Sequence, residues 1–104
     1  MVRKEFSELQ GFIKRVKAKY IGCKIILFGS RARGDFLADS DYDFIIISER
    51  FEGTKFAERI ERIQALWKGH LDIEPLCYTP AEFDEKKHEI GIVSEAERSG
   101  IALA

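Results

Sequence analysis

A chain of 104 residues, 45% hydrophobic and 34% charged, has the make-up of a single globular domain over 1–104, not of a disordered or fibrous segment. Its formal net charge of −1 gives no overall basic field, which argues against nucleic acid as the main partner. No apolar run approaches the roughly 20 residues of a membrane helix, and no signal-peptide block opens the chain, so the protein reads as cytoplasmic and free of the membrane.

Phe6, Leu9, Ile13, Val16 and Tyr20 recur at helical spacing and predict an amphipathic helix over about 4–20. Its outer face carries Lys14, Arg15, Lys17 and Lys19, a solvated surface. The apolar run 24–28 ends at Gly29 and reads as a first strand. Residues 41–48 form a second, in which Phe44, Ile45, Ile46 and Ile47 make a run expected to be buried on both faces. Thr54 is placed to cap a helix whose stripe is Phe56, Ile60, Ile63 and Trp67, with Gly69 ending it. Trp67 therefore reads as core. Residues 71–76 form a third strand. Thr79-Pro80-Ala81-Glu82 is a capping box with proline at the first helical position. A last helix covers 93–99 and stops at Gly100. Cys23 and Cys77 have neither C-x-x-C spacing nor a neighbouring histidine, and read as reduced, buried thiols.

The helix between strands two and three has crossover length, which favours a parallel pair. Strands one and two face a different constraint. Gly29 and Ser30 close the first strand, while Asp41 and Asp43 open the second. These residues share one site only if the two strands run antiparallel. The fold class is therefore α/β, with a small mixed sheet of at least three strands flanked by helices.

Residues two apart on a strand share a face, so Asp41 and Asp43 project together. Two carboxylates so close repel unless a cation lies between them, and hard oxygen ligands suit Mg²⁺ or Mn²⁺. Asp72, early in the third strand, offers a third carboxylate. Three such groups at adjacent strand starts match a site for two metal ions, and Asp72 is also placed to accept the proton of an attacking hydroxyl. Gly29 lets backbone approach a phosphate, Ser30 offers a hydroxyl and an N–H, and Arg31 and Arg33 add charge. Two rival motifs fail on the letters. A P-loop starting at Gly29 needs a lysine where Asp35 stands, and an EF-hand starting at Asp39 needs glycine and glutamate where Phe44 and Arg50 stand. His70 reads as a strand-end surface residue, and His88 has no ligand partner in its acidic surroundings.

Gly29-Ser30, Asp41-x-Asp43 and Asp72, each at the end or start of an apolar strand, make the chain resemble the nucleotidyltransferase superfamily of DNA polymerase beta. It resembles most closely the minimal nucleotidyltransferases. The resemblance covers nearly the whole chain and implies the nucleotidyltransferase fold. It implies metal-dependent transfer of a nucleoside monophosphate, AMP from ATP, to a hydroxyl. On that analogy Asp41, Asp43 and Asp72 hold two Mg²⁺ or Mn²⁺ ions, and Gly29 and Ser30 grip the triphosphate with help from Arg31 and Arg33. Glu74 shares the face of Asp72 and competes for the third place, but the family's apolar-flanked aspartate favours Asp72. Larger relatives append an acceptor-binding domain that this chain lacks, so on that analogy a second copy or another protein must supply the acceptor pocket. The resemblance implies a small helical HEPN-type partner, as in toxin–antitoxin pairs, modified on a tyrosine. An alternative is a non-catalytic antitoxin or nucleotide-sensing module acting by complex formation. A third reading is transfer to a small molecule or an RNA end.

Overall fold

The computed structural model describes residues 3–34, 41–89 and 91–104. Asp35, Phe36 and Asp39, on which the rival motifs were weighed, lie outside these residues. The order of elements is α1 (Arg3–Lys19), β1 (Lys24–Phe28), α2 (Ser30–Arg33), β2 (Tyr42–Ile47), α3 (Phe56–Gln64), β3 (Ile73–Tyr78), α4 (Pro80–Lys86), α5 (Ile92–Ser99) and β4 (Ile101–Ala102). The four strands form one mixed sheet in the order β3-β2-β1-β4. β1 and β2 are antiparallel, with Phe28 opposite Asp43, and β2 and β3 are parallel. Both orientations agree with the sequence expectation.

The run in β2 is buried from both sides: Phe44, Ile45 and Ile46 are all 0% exposed. Each such side chain contributes about 1.5–3 kcal/mol by leaving water. Alternation sends Phe44 and Ile46 to one face, where they join Phe12, Val16 and Ile63 from α1 and α3. Ile45 and Ile47 go to the other, beside Tyr78, Val93 and Ala96, with Phe83 packed against them. Asp41 and Asp43 have the parity of Ile45 and Ile47. The carboxylates therefore belong to the less thickly covered face, at its open end.

Several boundaries differ from expectation, each for a local reason. Lys55, not Thr54, caps α3, and the Thr54 carbonyl instead accepts from Arg59 Nε at 2.8 Å. α3 ends at Gln64, because the chain then turns so that the Trp67 indole N–H donates to the Leu71 carbonyl. That bond spends Leu71 on the turn, and β3 begins at Ile73, two residues later than the pattern suggested. The strand runs on to Tyr78 because the capping box at Thr79 and Glu82 starts α4 directly afterwards. Pro75 is tolerated because β3 is an edge strand. The two-residue β4, paired with Ile26 and Leu27, is too short to leave a period in the sequence. Arg15 is not simply solvated: its Nε donates to the Leu66 carbonyl at 2.6 Å and ties α1 to the turn after α3. Cys23 and Cys77 are free and buried, and burial pushes the Cys77 thiol up to about 12.

One polar network stands inside this frame. Arg59 is 6% exposed, and its guanidinium donates to the Cys77 carbonyl and to both carboxylate oxygens of Glu82. Glu82 also accepts the Thr79 N–H of the capping box. Its carboxyl is held below the usual range, chiefly by Arg59. The network pins α3, β3 and α4 together at the end of the sheet away from the aspartates.

Candidate active site

Gly29 sits at the junction of β1 and α2 with φ +75° and ψ −157°, backbone that is essentially restricted to glycine. A Cβ there would lie 2.5 Å from Asp43 Oδ2. Two independent reasons thus exclude a side chain, and the second shows that the Gly29 backbone and the Asp43 carboxylate touch. The antiparallel pair brings this about by placing Phe28 opposite Asp43. Ser30 opens α2, a single turn that closes on Gly34 in the left-handed region.

On the other side of Asp43 stands Glu74, its register partner across the parallel pair. The two carboxyls stand side by side as like charges. The Asp43 carboxyl is pushed up to about 6, first by desolvation, then by the like charge and hydrogen bond of Glu74, and then by Asp41. Arg33 opposes this shift through its positive charge.

Asp72 precedes β3 and is exposed; its carbonyl accepts the Tyr42 N–H at 3.2 Å. It stands one residue ahead of the strand, and the register partner of Asp43 is Glu74. Asp41, Asp72 and Glu74 still share a cavity of about 470 Å³, whose other walls include Gln64 and Trp67. Trp67 is partly core as expected, edge-on to Phe12 at 5.3 Å, yet it also forms a rim of this cavity. A larger hollow of about 980 Å³ lies at the opposite end of the sheet, near Lys24 and Ile47. That is four residues along β2 from Asp43, or roughly 13 Å, and it holds none of these carboxylates.

The two arginines part company. Arg31 is 7% exposed, lies over the Tyr42 ring at 4.6 Å and pairs with Glu5 of α1 at 3.4 Å. It fastens the turn to the core face. Arg33 is exposed and is the arginine whose charge reaches Asp43. His70 is joined to α1 by Glu8, whose carboxylate meets its Nδ1 at 2.5 Å and accepts its backbone N–H at 2.6 Å.

Gly29, Asp41, Asp43, Asp72 and Glu74 thus meet at one end of the sheet. A family model described as a nucleotidyltransferase domain matches residues 9–99. The chain belongs to that family. The chain is 45% identical over 47 residues to a candidate protein adenylyltransferase of Methanocaldococcus jannaschii, a match spanning 43% of this chain and 47% of that protein. The chain thus spans about half the length of that relative. A second candidate protein adenylyltransferase of the same organism is 29% identical over 82 residues, or 77% of each chain. A crystal structure of a candidate nucleotidyltransferase from Sulfolobus solfataricus superposes with a TM-score of 0.61 at 21% identity, covering 79% of this chain and 76% of that one. At that identity the likeness speaks for the fold. No described helix of the chain is long and apolar enough to cross a membrane.

The residues fit a divalent cation. Among the described residues no three or more His, Cys, Asp or Glu side chains already converge as a metal cluster. Mg²⁺, however, is commonly held by one or two carboxylates together with substrate phosphates rather than by an all-protein cage. Asp43 and Glu74, like charges in register with Asp41 adding its own, offer the carboxylates that such a site would need. Neither the D-x-D spacing nor strand parity distinguishes Glu74 from Asp72. The capping box does: it fixes the end of β3 at Tyr78, and counting back in parallel register sets Glu74 beside Asp43.

Proposed function

We propose that this nucleotidyltransferase transfers a nucleoside monophosphate, AMP from ATP, to a hydroxyl on a protein. The observation that carries the reading is the Asp43–Glu74 pair abutting the Gly29 backbone. The names of the two Methanocaldococcus relatives support a protein acceptor. A small helical HEPN-type partner in the cytoplasm is the acceptor that the motif's resemblance suggests.

In this reading the Gly29–Ser30 turn accepts the triphosphate with Arg33 beside it. Asp41, Asp43 and Glu74 would hold one or two Mg²⁺ or Mn²⁺ ions, which supply charge neutralisation for the triphosphate and the leaving pyrophosphate. The acceptor approaches from the Glu74 side, past Trp67 and Asp72, because the phosphate grip occupies the β1 side. Its hydroxyl oxygen bonds to the α-phosphorus, the bond from the α-phosphorus to the bridging oxygen breaks, and pyrophosphate leaves. The hydroxyl proton passes to the Glu74 carboxylate, the nearer acid on that side. Arg31 acts through position alone, holding the turn against Tyr42 and Glu5.

Incubation with α-labelled ATP, Mg²⁺ and the co-purifying partner tests this. Label on protein that disappears in Asp43→Asn is the expected result. A stable complex that never takes label would replace transfer with a binding module.

A further inference from the structure

A second cavity, of about 220 Å³, lies between α2 and α5 and is lined by Phe28, Gly29, Ala32, Arg33, Ile92, Glu95, Ala96 and Ser99. Resting on the reading that Gly29–Ser30 holds a nucleoside triphosphate, we propose that this cavity is the subsite for the base, and that it favours a base carrying an exocyclic amino group.

Continuity supports this first. Gly29 belongs to both sites: its backbone touches Asp43 on one side and walls the cavity on the other. Arg33 likewise lines the cavity while its charge reaches Asp43. A ligand whose phosphates sit at that turn has this hollow as its adjoining space. Size points the same way. Sites for a whole small ligand occupy about 300–1,000 Å³, so 220 Å³ takes one ring system and leaves ribose and phosphates outside.

The walls suit a flat, mostly apolar ring. Phe28, Ala32, Ile92 and Ala96 present carbon, and Ile92 is 60% exposed although it follows the glycine that caps α5. A large aliphatic side chain left in water at a cavity mouth gains from a ring laid over it. Apart from Arg33, whose charge is directed to Asp43 and the triphosphate, the polar rim is biased towards accepting. The Glu95 carboxylate only accepts, and the Ser99 hydroxyl already donates to the Glu95 carbonyl at 2.9 Å, leaving its lone pairs free. An exocyclic amino group donates to such a rim, as adenine does. Uracil offers carbonyl oxygens there and is disfavoured.

The test is binding, with Mg²⁺, of ATP, UTP and inorganic tripolyphosphate by calorimetry. Wild type is expected to bind ATP about tenfold more tightly than tripolyphosphate, and more tightly than UTP. Ser99→Trp fills the hollow and should bring ATP down to the tripolyphosphate level while leaving tripolyphosphate unchanged. Ile92→Ser, at an exposed position that leaves folding intact, should reduce the ATP advantage, and Glu95→Ala should narrow the gap between ATP and UTP. Tripolyphosphate and ATP binding equally to wild type, or an ATP advantage that survives Ser99→Trp and Ile92→Ser, would overturn the subsite and leave the phosphate grip standing. Failure of wild type to bind any of the three would overturn the grip, and the subsite with it.

Discussion

The two ends of the β2–β3 pair treat charge in opposite ways. At one end Arg59 and Glu82 form a paired, multiply hydrogen-bonded network in which each guanidinium nitrogen donates to an oxygen. At the other, Asp43 and Glu74 are like charges in register, one of them partly desolvated, with Arg33 as partial relief. The first arrangement fastens three elements. The second is unfavourable for the protein alone and, in the proposed function, would become favourable once a cation and phosphates arrive. The difference separates polar groups that fasten the fold from those left with unmet electrostatic demand, and the latter are where the proposed function places its chemistry.

The largest effect should come from the satisfied end. Arg59→Ala removes the cation of a buried pair and orphans the Cys77 carbonyl. Glu82 stays partly hydrated, so the loss should fall near the low end of the range for breaking such pairs, about 3 kcal/mol. Urea unfolding measures it, and transfer per folded molecule should be unchanged. Equal loss of activity per folded molecule would make the two ends one unit.

Gly29→Ala should come next. The backbone strain alone is on the order of 1–3 kcal/mol, and the Cβ must displace the Asp43 carboxylate. Both melting temperature and transfer should fall, whereas Gly22→Ala, at positive φ but with open space around it, should lower stability only.

The smallest effect has the opposite sign. The Asp43 carboxyl is raised from 3.8 to about 6 in the folded chain, so the folded state holds that proton more tightly than the unfolded one. Stability should therefore fall as pH rises from about 4 to about 6, and the full cost should persist above that. Asp43→Asn cannot ionise. Its melting temperature relative to wild type should rise between pH 4 and pH 7, and Mg²⁺ should shrink the gap by stabilising the wild-type carboxylates. A gap independent of pH would remove the repulsion from this account.

Much of this contrast is legible in the letters. Gly29, Asp41 and Asp43 announce their site because a turn glycine and paired carboxylates flank two apolar strands, and Thr79-Pro80-Ala81-Glu82 announces its helix. What stays hidden depends on side-chain direction and register. Arg31 and Arg33 are two letters apart on one helical turn, and only tertiary packing sends one over Tyr42 and leaves the other outside. Asp72 and Glu74 have the same parity, so the choice between them hangs on the register of β3 against β2, which pairs Glu74 with Asp43. Arg59 looks like an ordinary charge on a helix, and its burial follows from the distant Glu82 and Cys77.

The central claim is that the acid in register with Asp43 does the chemistry. Transfer of label from α-labelled ATP should be compared between Glu74→Gln and Asp72→Asn, both checked for fold. A loss on the order of 10²–10⁴-fold for Glu74→Gln, with Asp72→Asn retaining most activity, is the expected result. The reverse ranking would contradict it and return the third place to Asp72.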